Sequence, residues 1–139
     1  MAIFVGRDQA IEAIRAALKI SRAVSKIINP QFQAVYGTMH RRFTHTVGID
    51  CGVMLAAKTG VRVDSDLVWV GAAANYAAKL TSFEGLDGAY PLRATRRVVE
   101  RSGGIDYFTK VDDGASIWDG PYNDLALAHH YRTDREMNI

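Results

Sequence analysis

The stretch Leu67-Val68-Trp69-Val70-Gly71-Ala72-Ala73-Ala74-Asn75-Tyr76-Ala77-Ala78-Lys79-Leu80 decides how this chain is read. Four apolar residues, two of them β-branched and one aromatic, run straight into a glycine, and a segment dominated by alanine follows. The first part suits a strand and the second has high helix propensity, so the order predicts strand, Gly turn, helix. On that helix Asn75, Lys79 and Ser82 fall at i, i+4 and i+7 and share one face. Ala73, Tyr76, Ala77 and Leu80 fill another. A neutral amide and a cation one turn apart can hold a ribose or phosphate oxygen and neutralise developing charge. The same spacing also describes the solvated side of an ordinary surface helix.

Working towards the N-terminus, Phe43, His45, Val47 and Ile49 alternate with Thr44, Thr46, Gly48 and Asp50, as a half-buried strand does. Cys51-Gly52 connects it to a second strand, Val53–Ala57. Thr59-Gly60 and Asp64-Ser65 read as turns, and Leu67–Val70 is the third strand. Further upstream, Ala10, Ile11, Ile14, Leu18, Ser21, Val24, Ile27 and Ile28 recur at helical spacing. They predict an amphipathic helix of about five turns, capped by Asp8 and ended by Asn29-Pro30. Met1–Val5 reads as a short buried strand turning at Gly6. A domain seldom opens in mid-strand, so further residues are expected before Met1.

Downstream, Gly85 and Gly88 close the helix region, Tyr90–Ala94 reads as a strand, and Thr95–Arg101 as a short helix stopped by Gly103-Gly104. Ile105–Phe108 and Leu125–Arg132 read as further strands. The sum is an α+β domain, a mixed sheet with helices on one side.

Composition narrows the class. The 139 residues fit one domain, 1–139. With 48% hydrophobic and 23% charged residues, the chain is neither disordered nor collagen-like. Cys51 is the one cysteine, so no internal disulfide forms, and a reducing, cytoplasmic setting is expected. Leu67–Ala78 is interrupted by Gly71 and Asn75 and is too short to span a bilayer, and Met1–Val5 lacks a basic leader. Seventeen basic and 15 acidic residues leave a net charge of +2. Neither nucleic acid nor membrane is expected as a partner on that balance.

Other polar groups are weaker candidates. His40–His45 is a basic run with one aromatic, which suits a solvated loop or a phosphate contact. Asp64 and Asp66 are paired carboxylates or ordinary turn residues. His129 and His130 on one strand point to opposite faces and cannot share a metal. Gly103-Gly104 lacks the Lys-Ser/Thr pair of a phosphate loop.

Val47-Gly48-Ile49-Asp50-Cys51-Gly52 and Val70–Leu80 together resemble the class III nucleotidyl cyclases, the family of adenylate and guanylate cyclases. That family shows a Gly-Ile-x-x-Gly strand turn, a hairpin, and then Gly-x-x-Val-Asn-x-Ala-x-Arg-Leu opening a helix. The likeness is strongest over Val47–Ser82. It extends more softly to Met1–Phe4, Leu92–Val99 and His130–Asp134.

The resemblance implies a ferredoxin-like βαββαβ core and a head-to-tail homodimer with shared active sites. It implies two divalent ions, Mg²⁺ or Mn²⁺, that activate the ribose 3′-hydroxyl for attack on the α-phosphate. It makes Asn75 the ribose-orienting amide and puts Lys79 where the family has a transition-state Arg. Lysine keeps the charge and loses the planar fork. Gly71 opens the helix, and Val68 stands at a base-reading position usually held by Asp or Cys. A valine there departs from purine recognition, and Val70–Leu80 looks more like the cyclases of bacterial anti-phage systems that make cyclic CMP or cyclic UMP.

The family's two metal aspartates would precede Met1, so the chain reads as the C-terminal portion of a catalytic domain that lacks its first strands and is inactive alone. A non-catalytic cyclase-homology module, binding nucleotide or regulating a partner, is the alternative. Arg93 and Lys110 are candidates to reach the triphosphate.

Overall fold

The structure is a computed structural model that describes residues 1–37, 41–61, 64–82, 90–110, 113–123 and 129–137. Helix α1 (Gln9–Ala23) continues through a π-helical turn, Val24–Ile28, into α2 (Asn29–Tyr36). Then come β1 (Val47–Ile49), the hairpin β2 (Leu55–Val61) and β3 (Asp64–Val70), and α3 (Ala72–Thr81). Strand β4 (Leu92–Thr95), α4 (Arg96–Arg101), β5 (Asp119–Tyr122) and β6 (His130–Thr133) complete the described elements.

One sheet has the order β1-β4-β6-β5. Strand β1 runs parallel to β4, with Val47, Gly48 and Ile49 opposite Leu92, Arg93 and Ala94. Strand β6 is antiparallel to both β4 and β5, so the sheet is mixed as expected. All four residues of β4 are buried. Leu92 and Ala94 alternate with Arg93 and Thr95, and the polar side chains are buried with partners, Arg93 against His130 and Thr95 against Asp50.

The core lies between α1, α4 and one face of this sheet. Ile14, Ala17 and Leu18 meet Leu92, Ala94, Val98 and Val99, with Val47, Ile49 and Cys51 packed against them. Gly48 points the other way, because side chains alternate along a strand. A Cβ built on Gly48 would stand 2.1 Å from the Ala77 carbonyl oxygen and 2.8 Å from Leu80 Cβ. Helix α3 therefore lies on the opposite face of β1 from α1. The helices sit on both sides of this strand, where the sequence placed them on one.

Several elements differ from the sequence reading, each for a physical reason. Met1–Val5 is no strand and is not buried: Met1 is 88% and Val5 77% exposed. Strand propensity needs a pairing partner, and none of the described strands lies beside it. The first helix does not stop at Asn29-Pro30. The Asn29 N–H reaches back five residues to the Val24 carbonyl, and Pro30 follows in the first turn of α2, where the wider π-helical turn before it accommodates the ring. Asp8 stands before α1 without a side-chain cap; its carbonyl accepts the Glu12 N–H instead.

Thr59, Gly60, Asp64 and Ser65 are not turns but strand residues, paired Thr59 with Asp66, Gly60 with Ser65 and Val61 with Asp64. Residues 62–63, between the two strands, lie outside the described residues. The strand read over Phe43–Asp50 is reduced to Val47–Ile49, and Ile105–Phe108 forms loop rather than strand. Gly85, Gly88 and Leu125–Ala128 also lie outside the described residues. No helix among the described residues is long and apolar enough to cross a membrane.

Candidate active site

Helix α3 starts directly at Gly71, whose backbone is extended. A Cβ there would come within 2.8 Å of the Val53 carbonyl oxygen and 3.1 Å of Met54 Cγ, so a side chain would push the hairpin off the helix start. From that start the helix turns Ala73 and Leu80 inward, 5% and 1% exposed. Asn75, Lys79 and Ser82 all face solvent, as their spacing predicts.

Two cations bracket one ring. Lys79 Nζ lies 5.8 Å and Arg97 Cζ 5.6 Å from the centroid of Tyr76, which is half-buried beside Asn75. Arg97 is anchored in turn, since its Nη2 donates to Asp50 Oδ2 at 2.6 Å. The Asp50 side chain is fully buried, and its other oxygen accepts from the Thr95 hydroxyl. A buried carboxylate thus fixes a half-exposed guanidinium on the aromatic that also meets Lys79. Such a fork can engage phosphate bidentately, which an ammonium cannot.

The sequence reading did not pick out Asp50, Arg97 or the Tyr76 ring as a group. Asp50 and Arg97 are 47 positions apart, and no local spacing signals their meeting. The one available signal was the Asp inside Gly48-Ile49-Asp50, at the end of a strand.

Val68 lies on β3 opposite Ala57 and is 41% exposed. Leu55 and Val70 pair next to it on the same face, at 67% and 57% exposure. The position read as base-recognising therefore belongs to an apolar strip on the outside of the hairpin.

The remaining candidates do not join α3. Arg93 is 2% exposed, with Nη1 3.1 Å from Nε2 of the buried His130, so it is not presented to a substrate. Lys110 holds a loop, its N–H on the Ala115 carbonyl. His129 is exposed just before β6, and His130 is buried at its first position, so the two do not share the strand that the sequence suggested. Asp66 is exposed, and the Asp64 side chain is outside the described residues, as is His40.

The rest of the basic run is tied down by α2. Asn29 both accepts the Phe43 N–H at 2.7 Å and donates to its carbonyl at 3.1 Å, and Phe43 meets the Phe32 ring edge-on. Behind it, His45 Nε2 lies 3.1 Å from the Ser21 hydroxyl. Burial holds the His45 imidazole below its ordinary pKa, and Glu136 opposes that only partly. Burial likewise pushes the Cys51 thiol up, with Arg101 opposing it most. Among the described residues no three His, Cys, Asp or Glu side chains converge as a metal centre requires.

Comparison with known proteins gives three relatives of the same name. The chain is 51% identical over 82 residues to a uridylate cyclase of Xanthomonas perforans, covering 59% of this chain and 36% of that protein. It is 41% identical over 118 residues to a uridylate cyclase of Burkholderia cepacia, covering 85% and 48%. A third, from Rhodovulum sp. (strain MB263), is 28% identical over 122 residues, 86% and 50%. No family model matches the chain. The chain spans half or less of the length of these curated relatives.

Proposed function

We propose that this chain is part of a pyrimidine nucleotide cyclase of the class III type, which converts UTP to 3′,5′-cyclic UMP. The ribose 3′-oxygen attacks the α-phosphorus, the bond to the bridging oxygen breaks, and pyrophosphate leaves. The 41% identity to a uridylate cyclase over 85% of the chain carries this reading. The exposed Asn75–Lys79 pair supports it. The Asn75 amide holds the ribose. The Lys79 ammonium meets the charge that builds on the phosphate oxygens as the bond to pyrophosphate lengthens. Arg97, held by Asp50 on the same aromatic ring, adds a guanidinium to that side. The apolar Val68 fits a site that does not read a purine through this side chain.

In this proposal the protein works as a homodimer with shared sites. The bare apolar strip of Leu55, Val68 and Val70 supplies a surface that water does not favour and a second subunit would cover. Two divalent ions, Mg²⁺ or Mn²⁺, would supply the activation of the ribose 3′-hydroxyl in this reading. A cytoplasmic, anti-phage signalling role goes with the same resemblance.

Substitution of Lys79 tests the assignment in the full-length protein. Lys79→Ala should lower kcat about 100-fold or more, the usual scale for losing one donor to developing charge. The melting temperature should stay almost unchanged, because an exposed lysine contributes little to folding. Full turnover in Lys79→Ala would contradict the role.

A further inference from the structure

The charges of this chain are unevenly placed. Between Glu12 and Asp50 there is no acidic residue, while six cations, Arg15, Lys19, Arg22, Lys26, Arg41 and Arg42, fall there. With 17 basic and 15 acidic residues in all, the rest of the chain is net negative. The overall charge of +2, from which no membrane partner was expected, averages these two parts. Arg15 is paired with Glu12 at 3.0 Å. Among the described residues no carboxylate pairs with the other five.

The fold gathers part of this charge around a bare apolar surface. Helix α2 buries none of its residues, and Val35 on it is 72% exposed. Just before it, Ile27 and Ile28 of the π-helical turn are each 43% exposed. Phe43, 48% exposed, is brought to the same place: Asn29 holds its backbone and Phe32 meets its ring. Arg41 and Arg42 immediately precede Phe43 and are exposed, and Lys26, also exposed, stands three positions before Asn29. Apolar side chains grouped in this way, beside cations of one sign, mark an interaction surface.

We infer that α2, the π-helical turn before it and Arg41–Phe43 form a docking surface for an anionic lipid bilayer. Ile27, Ile28, Val35 and Phe43 enter the interface, and Lys26, Arg41 and Arg42 meet the lipid phosphates. Three observations favour a bilayer over other partners. A second copy docking arm to arm would set cation against cation. A nucleic acid needs aromatic faces for its bases, and three of these four apolar side chains are aliphatic. An acidic peptide needs a groove or a sheet edge, and the groove of about 560 Å³ beside β1 takes in no residue between Ile20 and Thr46. A bilayer interface, by contrast, accepts an exposed helix with apolar side chains and flanking cations. None of this depends on the reaction the protein runs.

The test is sedimentation of the full-length protein with two kinds of vesicle, phosphatidylcholine alone and an equal mixture of phosphatidylcholine and phosphatidylglycerol. Binding is expected to the mixed vesicles only, and it should weaken as salt is raised. Replacing both arginines, Arg41→Ala with Arg42→Ala, should weaken it about 30-fold, the scale for two cations near an anionic surface. Val35→Ser should weaken it too, although the net charge is unchanged. Both variants should keep the wild-type melting temperature, because these side chains are exposed. No binding to the mixed vesicles, equal binding to both kinds, or binding that the double variant leaves unchanged would each overturn the inference. So would tighter binding of a single-stranded oligonucleotide through the same two arginines. Turnover is not read, so an inactive protein that binds the mixed vesicles still supports it.

Discussion

Asp50 is the residue on which the candidate site leans. It ends β1 and is buried. It accepts hydrogen bonds from Thr95 at the end of β4 and from Arg97 in the first turn of α4. Asp50→Asn keeps the shape and removes the charge. It should cost about 1–2 kcal/mol in urea denaturation, at the low end for charge-assisted bonds because Arg97 is half in water. Turnover in the full-length protein should fall further than that loss alone explains, since Arg97 is then free to leave Tyr76.

His45 gives a pH prediction. Its folded pKa is lowered by burial, so the unfolded chain binds a proton first as pH falls. Its contribution to stability is whole above about pH 6.5, the unfolded value, and declines below that until the lowered folded pKa is reached. His45→Gln should flatten the dependence of the urea midpoint on pH in this window; an unchanged slope would assign it to other groups.

At the scale of the element, α3 shows what periodicity can reveal. Its span and its two faces were legible because alanine propensity and a 3.6-residue spacing are local properties. That Asn75 and Lys79 face outward was legible too. The meeting of Lys79 with Arg97 at the Tyr76 ring was not, because it depends on how α4 is placed against β1. Pro30 and Gly60 show the opposite failure. Each looks like a stop in one dimension, yet a π-turn accommodates the first and a φ of +133° the second inside β2.

The seating of α3 on β1 rests on the absence of one methyl group. Gly48→Ala would place Cβ at 2.1 Å from a backbone oxygen that cannot rotate away, so α3 must move. Overpacking of this kind costs about 1–3 kcal/mol or more. The expected result is a lower urea midpoint together with lost turnover in the full-length protein. Wild-type stability in Gly48→Ala would mean that α3 does not pack on this face.

Across the whole molecule, the α+β class and the mixed sheet could be read from the order of periodic segments, whereas the placement of helices on both faces of β1 could not. That placement is set by which way Gly48 points, and a register shift of one residue reverses it. Met1–Val5 has the composition of a strand but is left exposed, and a strand exists only through its neighbour. The bare strip on the β2–β3 hairpin and the open edge of β1 belong to the same scale, for no other strand among the described residues pairs with that edge and the strip stays exposed. If the hairpin strip is the homodimer contact, Val70→Lys should shift the full-length protein towards monomer in analytical ultracentrifugation.

The most direct measurement is product formation by the full-length protein, given Mn²⁺ or Mg²⁺ and each of UTP, CTP, ATP and GTP in turn. The account predicts cyclic UMP and pyrophosphate in equal amounts from UTP. A purine cyclic nucleotide as the main product, or none from any of the four by a folded dimer, would contradict it, the second outcome pointing to a nucleotide-binding or regulatory module.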